Sequence, residues 1–147
     1  MTREVRHAGL LARRAQGRWQ GVLIEGPSGA GKSDLALRLL AAGFRLVADD
    51  RVIVWSDSRR LFGRAPEPLR DQIEIRGLGI VAAPAIDLAE IRLLLIQGSP
   101  ERLPRPEFQT VCDVPIPCLK VSFLHPSAPM KVCRALTAFD AAHKRRI

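Results

Sequence analysis

The sequence has no tyrosine, and only two tryptophans and five phenylalanines. The core must therefore be mainly aliphatic, and Trp19 and Trp55 read as packing anchors. Without an aromatic platform there is nothing for successive bases to stack on, so a nucleic-acid partner is not expected. Long apolar runs are also missing. A membrane helix needs ~20 apolar residues, whereas the longest candidate, residues 91–96, is strand-sized and broken by Arg92. Arg3, Arg6, Arg13 and Arg14 have no continuous apolar segment behind them, which argues against a secretory signal. Cys112, Cys118 and Cys133 are odd in number and lack Cys-x-x-Cys spacing. A disulfide framework or zinc site is thus not expected, and the thiols read as reduced groups of a cytoplasmic protein.

The 147 residues fit one domain spanning positions 1–147. Net charge is +8, mostly from arginines that are scattered; the dense basic cluster is residues 144–146. Such a surface suits an anionic nucleotide or an acidic protein partner.

The chemistry starts at Gly21-Val22-Leu23-Ile24-Glu25, a compact apolar run that reads as a buried strand. Gly26-Pro27-Ser28-Gly29-Ala30-Gly31-Lys32-Ser33 follows and fits the pattern Gly-x-x-x-x-Gly-Lys-Ser/Thr. Glycines let backbone N–H groups converge on phosphate oxygens, and the N-terminus of the next helix adds partial positive charge there. Lys32 is placed to reach the β- and γ-phosphates of ATP, and Ser33 offers a hydroxyl to Mg2+. From Ser33 the apolar period becomes helical, with Leu35, Leu39 and Ala42 on one face and Asp34 four residues before Arg38. Gly43 supplies a left-handed cap.

Leu46-Val47-Ala48 reads as a strand ending in Asp49 and Asp50. Ligands of parallel sheets sit beyond the carboxyl ends of the strands, which brings these carboxylates near the phosphate loop. Neighbours on a strand face opposite ways, so one of the two is expected to point at the phosphates. That carboxylate could hold magnesium or take the proton of an attacking hydroxyl.

Further along, residues 52–55 read as continuing or pairing with the strand at 46–48, Ser56-Asp57-Ser58 as a turn and residues 61–63 as a hairpin partner. Gln72-Ile73-Glu74-Ile75-Arg76 reads as a strand entering the tight loop Gly77-Leu78-Gly79. Residues 91–96 read as a strand and 98–106 as a loop. Residues 111–121, which include Pro115 and Pro117, read as edge strands. Residues 13–18 are expected to form a polar turn and 135–146 a terminal helix. His125 and His143 read as surface histidines.

Taken together, His7-Ala8, the strand and loop of residues 21–33, Leu46-Val47-Ala48-Asp49-Asp50-Arg51-Val52 and Glu74-Ile75-Arg76-Gly77-Leu78-Gly79-Ile80 resemble the catalytic domain of the HPr kinase/phosphorylase family. Val114-Pro115-Ile116-Pro117 is a weaker echo. The resemblance spans roughly residues 7–121 and is to a short form without an N-terminal domain. It implies an α/β fold: a P-loop kinase domain with a mixed, strand-rich sheet, akin to phosphoenolpyruvate carboxykinase and assembled as a hexamer. It implies ATP-dependent phosphorylation of a serine of HPr, a small phosphocarrier of the sugar phosphotransferase system, and in many members the reverse phosphorolysis. By the same resemblance Asp50 is the proton acceptor, Lys32 is catalytic, Ser33 and Glu74 bind Mg2+, His7 is an active-site residue and Arg102 is a further catalytic residue. There are two departures. Asp34 stands where the family commonly has Glu, and Ser122-Phe123-Leu124-His125-Pro126 replaces a basic stretch tied to dephosphorylation. A nucleotide-binding regulatory module and a small-molecule kinase are the competing readings.

Overall fold

Leu10, Leu11, Val22, Leu23 and Ile24 are all buried, so the strands that carry them lie with both faces covered. They belong to the hairpin β2 (Gly9–Ala15) and β3 (Arg18–Glu25). In this computed structural model, which describes residues 2–140, the polar turn predicted at 13–18 shrinks to Gln16 and Gly17. Both have positive φ, 53° and 74°, as two-residue hairpin turns require. Arg13, Arg14 and Ala15 are instead paired with Gln20, Trp19 and Arg18.

Helix α1 (Lys32–Ala41) buries Leu35, Ala36 and Leu39. It ends as the sequence implies. The N–H of Phe44 bonds to the carbonyl of Leu39 and that of Gly43 to Leu40, with Gly43 at φ 99°. Arg38 Nε donates to Asp34 Oδ2 at 2.9 Å.

The other strands are β1 (Arg3–His7), β4 (Arg45–Ala48), β5 (Arg51–Asp57), β6 (Arg60–Arg64), β7 (Gln72–Ile75), β8 (Gly79–Ala82), β9 (Leu88–Gln97), β10 (Glu107–Val111) and β11 (Val114–Val121). Among the described residues nine form one mixed sheet, ordered β1-β5-β6-β9-β3-β2-β4, with the β10–β11 pair joined to the far end of β9. β7 and β8 form a separate antiparallel pair, as the strand entering a tight loop at Gly77 predicts. β5 and β6 form the hairpin expected there.

The sheet path returns on itself. β1 runs into β2 through Ala8, and β4 runs into β5 through Asp49 and Asp50, so its two ends are the arms of one pair of bent strands. His7 pairs with Arg51 on one arm and Leu10 with Ala48 on the other. The N–H of Ala8 bonds to the carbonyl of Asp50 at 3.0 Å where the arms diverge.

Strand alternation sorts the core into two. Leu10, Leu23, Val52, Val54 and Leu94 pack inside the returning sheet. Leu11, Val22, Ile24, Leu93 and Leu95 face α1 and α2 (Ala128–Asp140), together with Phe123 and Val132.

Gly21 makes this packing possible: a Cβ there would lie 2.6 Å from the carbonyl oxygen of Glu90 on β9. Gly21→Ala is expected to cost about 3 kcal/mol, the upper part of the usual overpacking range, because backbone must move. A drop in the urea midpoint with unchanged slope checks this.

Two predicted elements differ. The C-terminal helix begins at Ala128, seven residues before its expected start, because Pro129 sits in its first turn, where no N–H is needed. Residues 141–146 of that expectation, with His143 and the basic cluster, lie outside the described residues. The prolines of β11 lie in its first half, which pairs only with β10, while Cys118–Val121 pairs with β9. Among the described residues no helix is long and apolar enough to cross a membrane. Cys112, Cys118 and Cys133 are free thiols.

Candidate active site

β3 ends at Glu25 and the phosphate loop follows it, turning through Gly29 (φ 84°) and Gly31 (φ 105°) into α1. At Gly31 a side chain is excluded twice, by the left-handed backbone and by Leu124, whose Cδ2 would lie 2.8 Å from a Cβ. Lys32 Nζ donates to the carbonyls of Gly26 (2.6 Å) and Pro27 (3.3 Å), which holds the ammonium over the loop.

β3 and β4 are each antiparallel to β2, which lies between them. They are not parallel neighbours, as the sequence argument assumed, but they run the same way, so their carboxyl ends still coincide. A cleft of ≈ 440 Å³ opens there, lined among others by His7, Ser28, Gly31, Lys32, Ser33, Asp49, Asp50, Glu74, Arg76 and Leu124.

Both aspartates line the cleft, but they turn to different partners. The N–H of Arg51 bonds back to the carbonyl of Asp49 at 2.8 Å, with Asp50 between them at φ 70°. This three-residue turn is uncommon and strained, and it interrupts the alternation. Asp50 Oδ1 lies 2.6 Å from His7 Nε2. Both side chains are open to solvent, His7 at 62% and Asp50 at 56%, so a group on another macromolecule can reach them. Asp49 is turned to the other wall, where its Oδ2 accepts the N–H of Glu74 at 3.0 Å.

Burial pushes the Asp49 carboxyl above its ordinary range. The neighbouring carboxylates of Asp50 and Glu74 push the same way, while the Glu74 N–H and Lys32 oppose the shift. A carboxyl raised in the fold favours folding in its neutral form, so its contribution is full at pH below the unfolded value and is lost as pH rises through the folded one. Asn at this position keeps an oxygen for the Glu74 N–H and carries no charge. Asp49→Asn is therefore expected to melt higher than the parent at pH 7, with the gap narrowing as pH falls toward 4. Thermal melts across that range check the sign.

Ser33, Asp49 and Glu74 offer hard oxygen donors in one cleft. Among the described residues no cluster of three or more His, Cys, Asp or Glu side chains could hold a metal by itself. Mg2+ usually takes one or two carboxylates plus substrate phosphate oxygens, and the donors present in the cleft fit that mode.

Arg102 does not join this group. It is exposed in the loop between β9 and β10, and the flanking Glu101 and Arg105 line a different cavity beside β11. The N–H of Gly98, at the start of that loop, is tied to the carbonyl of Val121. Arg76 lines the cleft instead. Its signal was present in the sequence, two residues after Glu74 in the same motif. Leu124 was missed because it lies 93 residues after Gly31 in the chain. The turn that bears it is anchored by Gln97 Oε1, which accepts the N–H of Phe123 at 2.8 Å, and by Arg38, which donates to the carbonyls of Phe123 and His125.

A glycine loop between a buried strand and a helix, opposed by carboxylates at the end of a parallel-running strand, defines a P-loop phosphate-binding domain of the α/β kinase class. Residues 15–87 match the HPr Serine kinase C-terminal domain. Over that stretch the chain is similar to members of the HPr kinase/phosphorylase family. The HPr kinase/phosphorylase of Latilactobacillus sakei is 56% identical over 62 residues, covering 42% of this chain and 20% of that protein. That of Lactobacillus johnsonii is 46% identical over 83 residues, covering 51% and 26%. The chain thus spans about a fifth to a quarter of the length of the curated relatives it matches. The solved structure of the Hpr(Ser) kinase/phosphatase from Coxiella burnetii superposes with a TM-score of 0.80 over 97% of this chain and 99% of that one, at 22% identity. That likeness is one of fold.

Proposed function

We propose that this chain is an ATP-dependent protein kinase that phosphorylates a serine of HPr or an HPr-like phosphocarrier. The observation that carries the reading is the His7–Asp50 contact of 2.6 Å, solvent-facing and across the cleft from the phosphate loop. The loop amides and the N-terminus of α1 hold the phosphates, and Lys32 moves from the loop carbonyls to the β- and γ-phosphates. Magnesium, when bound through Ser33 and Glu74, supplies charge neutralisation on those phosphates.

The seryl oxygen attacks the γ-phosphorus in line and the bond to the β-phosphate oxygen breaks. The seryl proton passes to Asp50, which His7 orients, and ADP leaves. Positioning and electrostatics, rather than covalent chemistry, supply the acceleration. The names of the relatives support this substrate, and the exposure of the pair suits a seryl side chain presented by a folded protein.

The test is incubation with γ-labelled ATP, magnesium and purified HPr-type proteins. Label on serine is expected; no label on any of several carriers would refute the substrate assignment. A cytoplasmic setting and a six-subunit assembly belong to the same proposal. Light scattering should give about six times the 16.2 kDa chain mass, and a monomer mass would reject the hexamer.

A further inference from the structure

Among the described residues, β1 pairs with one strand only, β5, and it is poorly buried: Val5 is 60% exposed. Yet it carries His7 to its place against Asp50. The ladder to β5 fixes β1 relative to the aspartate turn, whereas the phosphate loop hangs from β3, which β1 meets only through its continuation into β2. Beside Ala8 the bent strands divide: β2 keeps its ladder to β3 as far as Gly9 and Ile24, while β1 pairs with β5 instead.

The side chain of Arg6 links the two arms. Arg6 is next to His7 and so projects from the opposite face of β1. Its Nε donates to Glu25 Oε2 at 2.5 Å and its Nη2 to Glu25 Oε1 at 3.0 Å. This two-pronged pair holds both planar groups in register. It is also sheltered, the two side chains being 21% and 22% exposed, and Glu25 makes the arginine hold its proton more tightly. Glu25 is the last residue of β3, and Gly26 follows it with the carbonyl that receives Lys32.

The structure assigns to Arg6 and Glu25 a positioning role: a clamp that fixes the His7–Asp50 pair at a set distance from the phosphate loop. The clamp touches neither the phosphates nor the seryl group and acts through β1 and β3. It rests on the transfer chemistry proposed above, so its test includes a reading independent of activity.

Arg6→Met removes both prongs, Arg6→Lys keeps the charge without the fork, and Glu25→Gln keeps the shape without the charge. Transfer kinetics are measured well below each melting point, and amide exchange at Ala8, whose N–H bridges to Asp50 across the divide, is followed by NMR. For Arg6→Met the expected result is a kcat lower by ~10–100-fold, as small misplacements give, with the KM for ATP within about 2-fold. Ala8 exchange should rise about 10-fold or more, the loss of a charged hydrogen bond. Glu25→Gln should follow in the same direction and Arg6→Lys should lie between.

Faster exchange with unchanged kcat in both Arg6→Met and Glu25→Gln would reduce the pair to a structural contact and overturn the positioning role. Unchanged exchange would overturn the clamp altogether. If the unaltered protein transfers no phosphate to any carrier, the kinase reading fails, and the exchange rates then decide the clamp by themselves.

Discussion

Asp50→Asn is expected to slow phosphoryl transfer ~10²–10⁴-fold, the usual range for losing a positioned proton acceptor, while leaving ATP bound as tightly as before. The choice of Asn matters. Asp50 sits at φ 70°, where Asn is among the few side chains tolerated without added strain. The turn closed by the Arg51 N–H should therefore survive, and an amide oxygen remains for His7. What is lost is the capacity to take the seryl proton. Single-turnover transfer to serine, with ATP affinity measured separately, isolates that step. Full activity in the variant would remove Asp50 from its assigned role.

Lys32→Met is expected to act on the other side of the cleft. Methionine keeps an unbranched stem but removes the charge that meets the phosphates. A hydrogen bond to a charged group contributes about 1.5–3 kcal/mol, which corresponds to a loss of ATP affinity of about 10–150-fold. The fold should be little affected, because the ammonium donates to the carbonyls of Gly26 and Pro27 in its own loop. Calorimetric titration of ATP with magnesium, paired with thermal melts, separates the two effects. Unchanged affinity would mean that the phosphates lie elsewhere.

The two variants concern the parts of the site that were most readable from sequence, and the reason is local. A phosphate loop needs glycines, a lysine and a hydroxyl in fixed order within eight residues, so its chemistry is written contiguously. The same holds for α1, where the period of Leu35, Ala36 and Leu39 and the cap at Gly43 coincide in the structure. What was not legible depends on contacts between distant segments. The return of the sheet on itself comes from pairing residues 3–12 with residues 45–55, broken at Ala8 and at Asp49–Asp50, and no short pattern announces that break. The positive φ of Asp50 lies at that break. Arg102 was assigned across a Pro-rich loop, where no periodic pattern fixes position, while Arg76 stood unclaimed beside Glu74. The early start of α2 at Ala128 places Pro129 in the first helical turn, where proline is well placed.

The most direct test is a crystal structure of the protein with magnesium and a non-hydrolysable ATP analogue. The account predicts phosphates cradled by the amides of residues 26–33, with the terminal phosphate turned toward the carboxylate that His7 touches. Phosphates bound away from this turn, or a terminal phosphate shielded from Asp50, would contradict it.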